Sequence, residues 1–262
     1  MTADTRGCRG FSVMELLVAM FIMALISGLV MQGVMNALQR YQTEEYRTDM
    51  AQQSREFLDQ IIRDLHNIGY PGIRMYAPGV LGATPAAINS NASYAVGLVA
   101  VSATDVWFEG DLDNSGRVQS VRYQLQNVNG FCPCTMRRGT AIKVGGVAPD
   151  AQAPAFNVEL QNVLNSAGGG NAYPLTGASI QPYDTLYATY KAAPLFSFFD
   201  SNGNTMAVPN DLTGGNLAIG EAAAANVKGI SVIINVFGEK EDPKTQMRPT
   251  SSMRATVKIN NF

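Results

Sequence analysis

The chain has 262 residues, and its 19 Lys and Arg against 21 Asp and Glu give a formal net charge of −2. This balance does not indicate a phosphate-binding surface, and no direct nucleic-acid partner is predicted. The charged fraction is 15% and glycine occurs 25 times, a composition more typical of a loop-rich exported β protein than of a cytosolic enzyme. The length fits one extended helix and one globular head.

The first predicted element is a membrane-spanning helix. Residues 16–38 carry no charge, and a helix needs about 20 apolar residues to cross a bilayer. Arg6 and Arg9 precede this segment, which predicts a cytoplasmic leader and an exported head. An ordinary secretory signal has a shorter apolar region and a cleavage site after it. Here the only expected processing point lies before the apolar segment.

The residues around this processing point carry the most specific signal in the chain. The text RGFSVMELLVAM contains Gly10, Phe11 and a single acid, Glu15, at the start of the apolar segment. It resembles the class III leader of type IV prepilins and pseudopilins. The resemblance implies that residues 1–10 are a leader peptide. It also implies that a prepilin peptidase cleaves between Gly10 and Phe11 and methylates the new N-terminus.

Glu15 needs a partner if it enters the inner membrane. A carboxylate costs about 2.5 to 3.5 kcal/mol at the centre of a spanning helix, and less near an interface. After cleavage, Phe11 carries an α-amino group that can be positively charged at neutral pH. Our hypothesis is that the amine of one subunit pairs with Glu15 of its neighbour and brings the subunit into register. The alternatives are neutralisation within one helix and a Glu15 side chain that reaches the headgroups.

The same helix is predicted to continue beyond the bilayer. Residues 39–68 contain neither proline nor glycine, and their apolar residues recur every three to four positions. This stripe consists of Phe57, Leu58, Ile61, Ile62, Leu65 and Ile68. Residues 69–72, Gly-Tyr-Pro-Gly, should end the helix. We therefore expect residues 11–38 to form a transmembrane and filament-core half and residues 39–68 an amphipathic half. A single-pass anchor with a coiled stalk fits the same periodicity but does not explain Gly10, Phe11 and Glu15.

The remaining residues, 69–262, are predicted to form a β-rich head. Strand-like runs occur at 99–101, 105–109 and 117–127, and alternating runs at 230–236 and 253–259. The last two should form a hairpin across the polar segment 238–251. We expect an antiparallel sheet packed on the helix stripe, which is an α+β arrangement and, with the leader resemblance, a pilin fold.

Blocks of the head carry a second resemblance. The pieces DVWFEGDLDNSGRVQSVRYQL, LFSFFDSNGNTM and VKGISVIINV are similar to the PilW-type minor pilins and to the minor pseudopilin J of type II secretion. The resemblance implies a minor pilin that primes a type IV pilus, with other minor pilins, the major pilin and a PilY1-type tip adhesin as partners. It would support twitching motility, adhesion or DNA uptake. The alternatives are a type II secretion pseudopilin and a membrane-anchored binding domain outside any filament.

Two weaker motifs allow more than one interpretation. Once residues 1–10 are removed, Cys132 and Cys134 are the remaining thiols, and they form either a strained disulfide or two thiols in a turn. Asp111, Asp113 and Ser115 begin like a calcium loop, but Arg122 occupies the position that needs a bidentate Glu. A turn between two strands is the better interpretation of this segment.

Other residues favour a structural protein. His66 is the only histidine, so a metal cluster with two or more histidines cannot be assembled. We expect it at the end of the long helix, where the helix dipole favours it. Trp107 and the aromatic residues Phe196, Phe198 and Phe199 are interpreted as core strand residues. No catalytic residue and no cofactor is predicted.

Overall fold

The computed structural model describes residues 12–72, 91–128, 131–165, 187–238, 241–242 and 247–259, with the backbone alone for 127–128 and 131–133. The chain forms two compact units, residues 1–46 and 47–262. The helices are α1 (Val13–His66), α2 (Ala188–Ala192) and α3 (Asn216–Ala224). The strands are β1 (Leu98–Val101), β2 (Asp105–Gly110), β3 (Gln119–Val128), β4 (Phe131–Ile142), β5 (Ala155–Val163), β6 (Phe196–Phe199), β7 (Gly229–Phe237) and β8 (Thr250–Lys258).

Helix α1 confirms the long helix predicted from the sequence. It runs without interruption for 54 residues, and Asn67 and Ile68 extend it by one tighter turn through bonds to the carbonyls of Asp64 and Leu65. Gly69 then adopts a positive φ of 71°, a left-handed conformation that glycine tolerates at a helix end. The predicted stop at Gly69 is therefore confirmed.

The head contains the antiparallel sheet that was predicted. Its strands follow the order β1-β2-β3-β4-β5-β7-β6, and β8 pairs with β7. Each of these pairs is antiparallel. The α+β class is confirmed, and strands β1, β2, β3, β7 and β8 correspond to the runs identified in the sequence, although residues 117, 118 and 259 of those runs lie outside the strands. Strands β4 and β5 and the short helices α2 and α3 were not predicted.

Strand β7 has neighbours along both of its edges. Strand β8 pairs with all nine residues of β7, so β5 and β6 must share the opposite edge. Between these two partners the side chain of Asn165 fills the gap. Its Oδ1 accepts from the backbone N–H of Asn235 at 2.8 Å, and its Nδ2 donates to the carbonyl of Ile233 at 3.1 Å. A buried side chain thus replaces part of a strand.

The core of the head lies between the C-terminal part of α1 and one face of the sheet. The predicted helix stripe is buried except at Ile62, which is half-buried. Ile61, Leu65 and Ile68 are completely inaccessible and belong to one apolar cluster with the sheet. Phe57 packs edge-to-face on Tyr123 of β3, with ring centroids 5.9 Å apart. The core interpretation of Trp107, Phe196 and Phe198 is also confirmed, since each is at most 4% exposed. Phe199 is half-buried.

Candidate functional site

Helix α1 begins with a capping box. The Ser12 Oγ accepts a hydrogen bond from the backbone N–H of Met14 at 3.3 Å, and Glu15 Oε2 accepts one from the backbone N–H of Ser12 at 2.9 Å. The first regular helical bond runs from the N–H of Leu16 to the carbonyl of Ser12. A Ser and a Glu three residues apart commonly satisfy backbone donors at a helix start, and here the Ser12 hydroxyl accepts from Met14 rather than from Glu15. Glu15 therefore has a hydrogen-bond partner within its own chain.

This contact changes the interpretation of Glu15. From the sequence, the Glu15 carboxylate is predicted to pair with a neighbouring subunit or to be neutralised within the helix. Its hydrogen bond to Ser12 was not predicted. The signal was readable, because Ser-x-x-Glu before an apolar run is typical of a helix N-terminus. A carboxylate accepts several hydrogen bonds, so capping by Glu15 is compatible with pairing to an amine. The pairing with the amine of Phe11 stays a prediction, and Gly10 and Phe11 lie outside the described residues.

The N-terminal half of α1 presents apolar surface on all sides. By length and composition α1 can cross a membrane, and its most apolar window has a mean hydropathy of 2.5 with no residue buried. Large apolar side chains from Val13 to Leu38 are between 48% and 78% exposed. Gly28 and Gly33 leave the helix surface open, since an added Cβ at either would meet no atom within 4 Å. Lipid or another protein has to cover this surface.

The C-terminal part of α1 is joined to the sheet by a buried polar cluster. Asp64 Oδ2 accepts from the Tyr123 hydroxyl at 2.6 Å and from Arg138 Nε at 2.7 Å. Burial, and then the negative charge of Asp64, raise the pKa of the Tyr123 hydroxyl well above its usual value, so it stays a donor. We name Asp64, Tyr123 and Arg138 the helix–sheet clamp. Sequence reasoning missed it, because its members are 59 and 74 residues apart along the chain.

The end of α1 is also held by the backbone of β2. The N–H of Gly69 donates to the carbonyl of Glu109 at 2.9 Å, and the N–H of Asp111 donates to the carbonyl of Tyr70 at 2.7 Å. Gly110 lies so close to the helix end that an added Cβ would stand 2.3 Å from the carbonyl oxygen of Asn67. Only glycine permits this approach of the two backbones.

A second buried ion pair involves Glu109 of β2, whose side chain points away from the face that carries Phe108. Lys143 Nζ donates to Glu109 Oε2 at 2.7 Å and to the carbonyl of Tyr94 at 2.9 Å. Both charged side chains are completely inaccessible. Glu109 Oε2 also accepts from the N–H of Val96 at 3.0 Å. The pair therefore fixes the segment before β1 to the sheet.

The calcium-like segment forms the turn between β2 and β3. Asp111 accepts from the N–H groups of Ser115 at 3.1 Å and Gly116 at 2.8 Å, and Asp113 accepts from Ser115 at 3.1 Å. The turn interpretation is confirmed, because both carboxylates serve the turn's own backbone. Within the described part of the chain, no three His, Cys, Asp or Glu side chains could hold a metal ion together.

Cys134 lies in the core of the head. It is completely inaccessible and disulfide-bonded. The side chain of Cys132 lies outside the described residues, so the pairing of Cys132 with Cys134 stays a prediction.

Comparison with known proteins supports the interpretation of the N-terminus. A family model described as the prokaryotic N-terminal methylation motif matches residues 5–31. No curated protein and no solved structure matches the chain. The matched segment contains Gly10, Phe11, Ser12 and Glu15 and supports a class III prepilin-type leader.

The leader, the apolar helix and the α+β head together define the class of the chain. They support a membrane-anchored structural protein that resembles the subunits of a filament. More narrowly, the methylation motif supports a type IV pilin-like or pseudopilin-like protein.

Proposed function

We propose that the chain is a minor pilin that primes assembly of a type IV pilus and lies in the pilus or at its tip. The observation that carries this proposal is the apolar half of α1. It begins within a prepilin-type methylation motif at residues 5–31 and has no buried residue in its most apolar window. Such a helix suits a lipid environment first and a filament interior afterwards.

The capping box gives Glu15 a defined role in that transfer. A carboxylate that already accepts the Ser12 N–H loses less on entering an apolar environment than an unpaired one. In the filament, the positively charged amine of a neighbouring subunit then adds a second partner. Glu15 thus both begins the helix of its own subunit and brings the next subunit into register.

The head would supply the contacts specific to a minor subunit. Its resemblance to PilW-type proteins supports partners among other minor pilins, the major pilin and a PilY1-type adhesin. The precursor would sit in the inner membrane with its head in the periplasm, and the mature subunit would sit at the pilus base or tip. Twitching motility and adhesion are the activities that such a pilus supports.

Two substitutions at Glu15 test the proposed assembly step. In Glu15→Gln the amide oxygen can still accept the Ser12 N–H, as Gln does in capping boxes, but the charge is gone. In Glu15→Val both are lost. We expect both variants to be processed to a mature chain that begins at methylated Phe11 and to be depleted from filament fractions. Intact-mass analysis measures processing, and quantitative blots of purified filaments measure incorporation.

The outcomes separate the roles of Glu15. Normal incorporation of Glu15→Val would refute a role in assembly, and rescue by Glu15→Gln alone would restrict that role to capping. A deletion strain separates pilus from pseudopilus. Loss of a minor pilin should remove surface filaments, which imaging detects, whereas loss of a pseudopilin should reduce protein secretion. The minor-pilin proposal fails if purified filaments and tip assemblies never contain the chain with Phe11 as its first residue.

A further inference from the structure

Strand β8 forms an open edge of the head's sheet. It pairs with β7 along its whole length, from Lys258 opposite Gly229 to Thr250 opposite Phe237. No other strand in the described part of the chain pairs with β8. Nine residues of extended backbone therefore have one edge that lies outside the sheet's own pairing.

The bonds at the two ends of β8 show which residues face outwards. Ile259 donates its N–H to the carbonyl of Lys228, and Pro249 accepts from the N–H of Gly238, both at 2.9 Å. Odd-numbered residues thus point their backbone groups towards β7. Since these groups alternate along a strand, the even-numbered residues of β8 point theirs outwards. These are Thr250, which is half-buried, and Ser252, Arg254, Thr256 and Lys258, whose side chains are exposed.

Two other strands that end the sheet are covered by the chain itself. The N–H of Phe196 in β6 donates to the carbonyl of Ala103 at 3.0 Å, and the carbonyl of Phe198 accepts from Met206 at 2.8 Å. Helix α3 packs against β1 so closely that a Cβ on Gly220 would stand 2.7 Å from the carbonyl oxygen of Val101. Natural sheets commonly cover their edges in this way. Among the described residues, no backbone hydrogen bond covers the outer edge of β8 in this way.

The open edge carries positive charge and no acid. Arg254 and Lys258 project from the same face, and β8 contains neither Asp nor Glu. Arg254 Nε donates to Ser231 Oγ at 3.0 Å, which holds the guanidinium against the sheet. On the other face Ala255 is partly buried and Val257 is buried. A strand added to this edge would meet cations on one face and apolar side chains on the other.

A second copy of the chain does not fit this edge well. If two β8 strands paired antiparallel over their full length, Arg254 at the centre of each strand would stand opposite Arg254 of the other. Like charges directly opposite each other destabilise a sheet. Acidic side chains at the same positions would form favourable cross-strand pairs instead.

We propose that the outer edge of β8 binds an extended strand of a different filament subunit, in which acidic and apolar residues alternate. The pairing extends the sheet by main-chain hydrogen bonds, and the cations select the partner. This inference rests on the proposed function, because it names the surface by which the head contacts another subunit. It makes β8 the specific docking edge of the head.

Amide hydrogen exchange on the full chain in detergent micelles tests the edge directly. The probe is a peptide of the length of β8 with alternating Glu and Val, and the control is the same peptide with Lys in place of Glu. At about ten times its Kd, the acidic peptide should slow exchange at Ser252, Arg254 and Thr256 about tenfold. Slowing by neither peptide, or equally by both, would overturn the proposal.

Two variants at one position separate edge binding from folding. Thr256→Pro removes an outward N–H and leaves the β7 ladder intact, since proline is tolerated at the open side of an edge strand. Thr256→Ala keeps the N–H. We expect the acidic peptide to protect Thr256→Ala but not Thr256→Pro. Both variants lose the hydrogen bond from the Thr256 hydroxyl to Ser231, so they should unfold at similar urea concentrations. Equal protection of both folded variants would contradict main-chain pairing.

Photo-crosslinking in cells distinguishes this inference from the proposed function. A photoreactive residue at Ser252 should crosslink to another subunit in filament fractions, whereas one at the exposed Asn157 of β5 should not. If the chain is in the filaments but Ser252 forms no crosslink, the docking edge is refuted and the minor-pilin role stands. If the processed chain never enters filaments, the minor-pilin role fails, and with it this partner.

Discussion

The two units of the chain use apolar residues in opposite ways. Between Val13 and Leu38 every large apolar side chain is at least 48% exposed, whereas Ile61, Phe108 and Val121 in the second unit are completely inaccessible. The same helix, α1, supplies residues to both units. Helical periodicity alone therefore does not decide burial. The second unit contains a sheet that covers one stripe of the helix, and the first unit contains no such partner among its described residues.

The polar residues of the two units differ in how far along the chain their partners lie. In the head, buried charges such as Asp64 and Glu109 have partners from distant strands. In the first unit, Glu15 is bonded to a residue three positions away. These two buried charges thus find their partners within the fold, while the exposed apolar surface of the N-terminal half has to be covered from outside. Four substitutions test this contrast, from the largest expected effect to the smallest.

Lys143→Met should have the largest effect, and it acts on the head. It leaves the Glu109 carboxylate buried without its cation, which typically costs about 3 to 5 kcal/mol of folding free energy. Urea unfolding followed by the fluorescence of Trp107, the only tryptophan, measures the loss. Adding Glu109→Gln as a control should recover much of the stability. An unchanged midpoint for Lys143→Met alone would show that the pair is not buried in solution.

Leu25→Arg should act on the N-terminal half alone. A cation at the centre of a spanning helix costs about 2.5 to 3.5 kcal/mol on insertion scales, so the fraction of chain that resists alkaline extraction from membranes should fall. Leu25→Ile is the matched control. The urea midpoint of the head should not change, and a large change would contradict the independence of the two units.

Tyr123→Phe tests the helix–sheet clamp. It removes one hydrogen bond to the charged Asp64, worth about 1.5 kcal/mol, and keeps the ring that packs on Phe57. The urea midpoint should fall, whereas Tyr41→Phe on the exposed face of α1 should leave it unchanged. In an Asp64→Asn background the effect of Tyr123→Phe should shrink. Additive effects would mean that the two side chains do not interact.

Asp200→Asn should have the smallest effect, and the size of this effect depends on pH. Hydrogen bonds from the backbone of Asn204, and from its side chain and Asn202, lower the pKa of the Asp200 carboxyl below its ordinary 3.8. The stabilisation is therefore complete above the ordinary pKa and is lost as pH falls through the lowered one. The variant should be less stable than wild type at neutral pH and equal to it in strong acid. Asp49→Asn, at an exposed position of α1, should show no such difference.

The parts of the fold that follow a simple period could be predicted from the sequence. In β3, Val121, Tyr123 and Leu125 alternate with polar residues, and all three are at most 9% exposed. The helix stripe was visible for the same reason. Strand β4 was missed because Arg138, which faces the core side opposite Tyr123, breaks the apolar alternation. Its charge is satisfied by Asp64, and nothing local in the sequence reveals that partner.

Helix α3 was missed because Gly220 interrupts its pattern. In the structure, Gly220 lets the helix approach β1, where a Cβ would also stand 2.6 Å from the side chain of Leu212. In the candidate site, too, local signals could be read from the sequence and contacts between distant residues could not. Gly10, Phe11 and Glu15 are predicted from a local motif, and the family match at residues 5–31 covers the same segment. The hydrogen bond between Ser12 and Glu15 is also local and was overlooked. The helix–sheet clamp depends on the tertiary fold and could not be predicted.

The clamp has a mechanical consequence. Asp64 lies near the end of the 54-residue helix α1 and contacts Tyr123 and Arg138, which stand opposite each other on β3 and β4. Tension along α1 would therefore enter the sheet at two inner strands, each with hydrogen-bonded neighbours on both sides. Neither strand can leave the sheet without breaking two ladders of hydrogen bonds. In the proposed filament, a pull on α1 would therefore load the interior of the head's sheet before its edges.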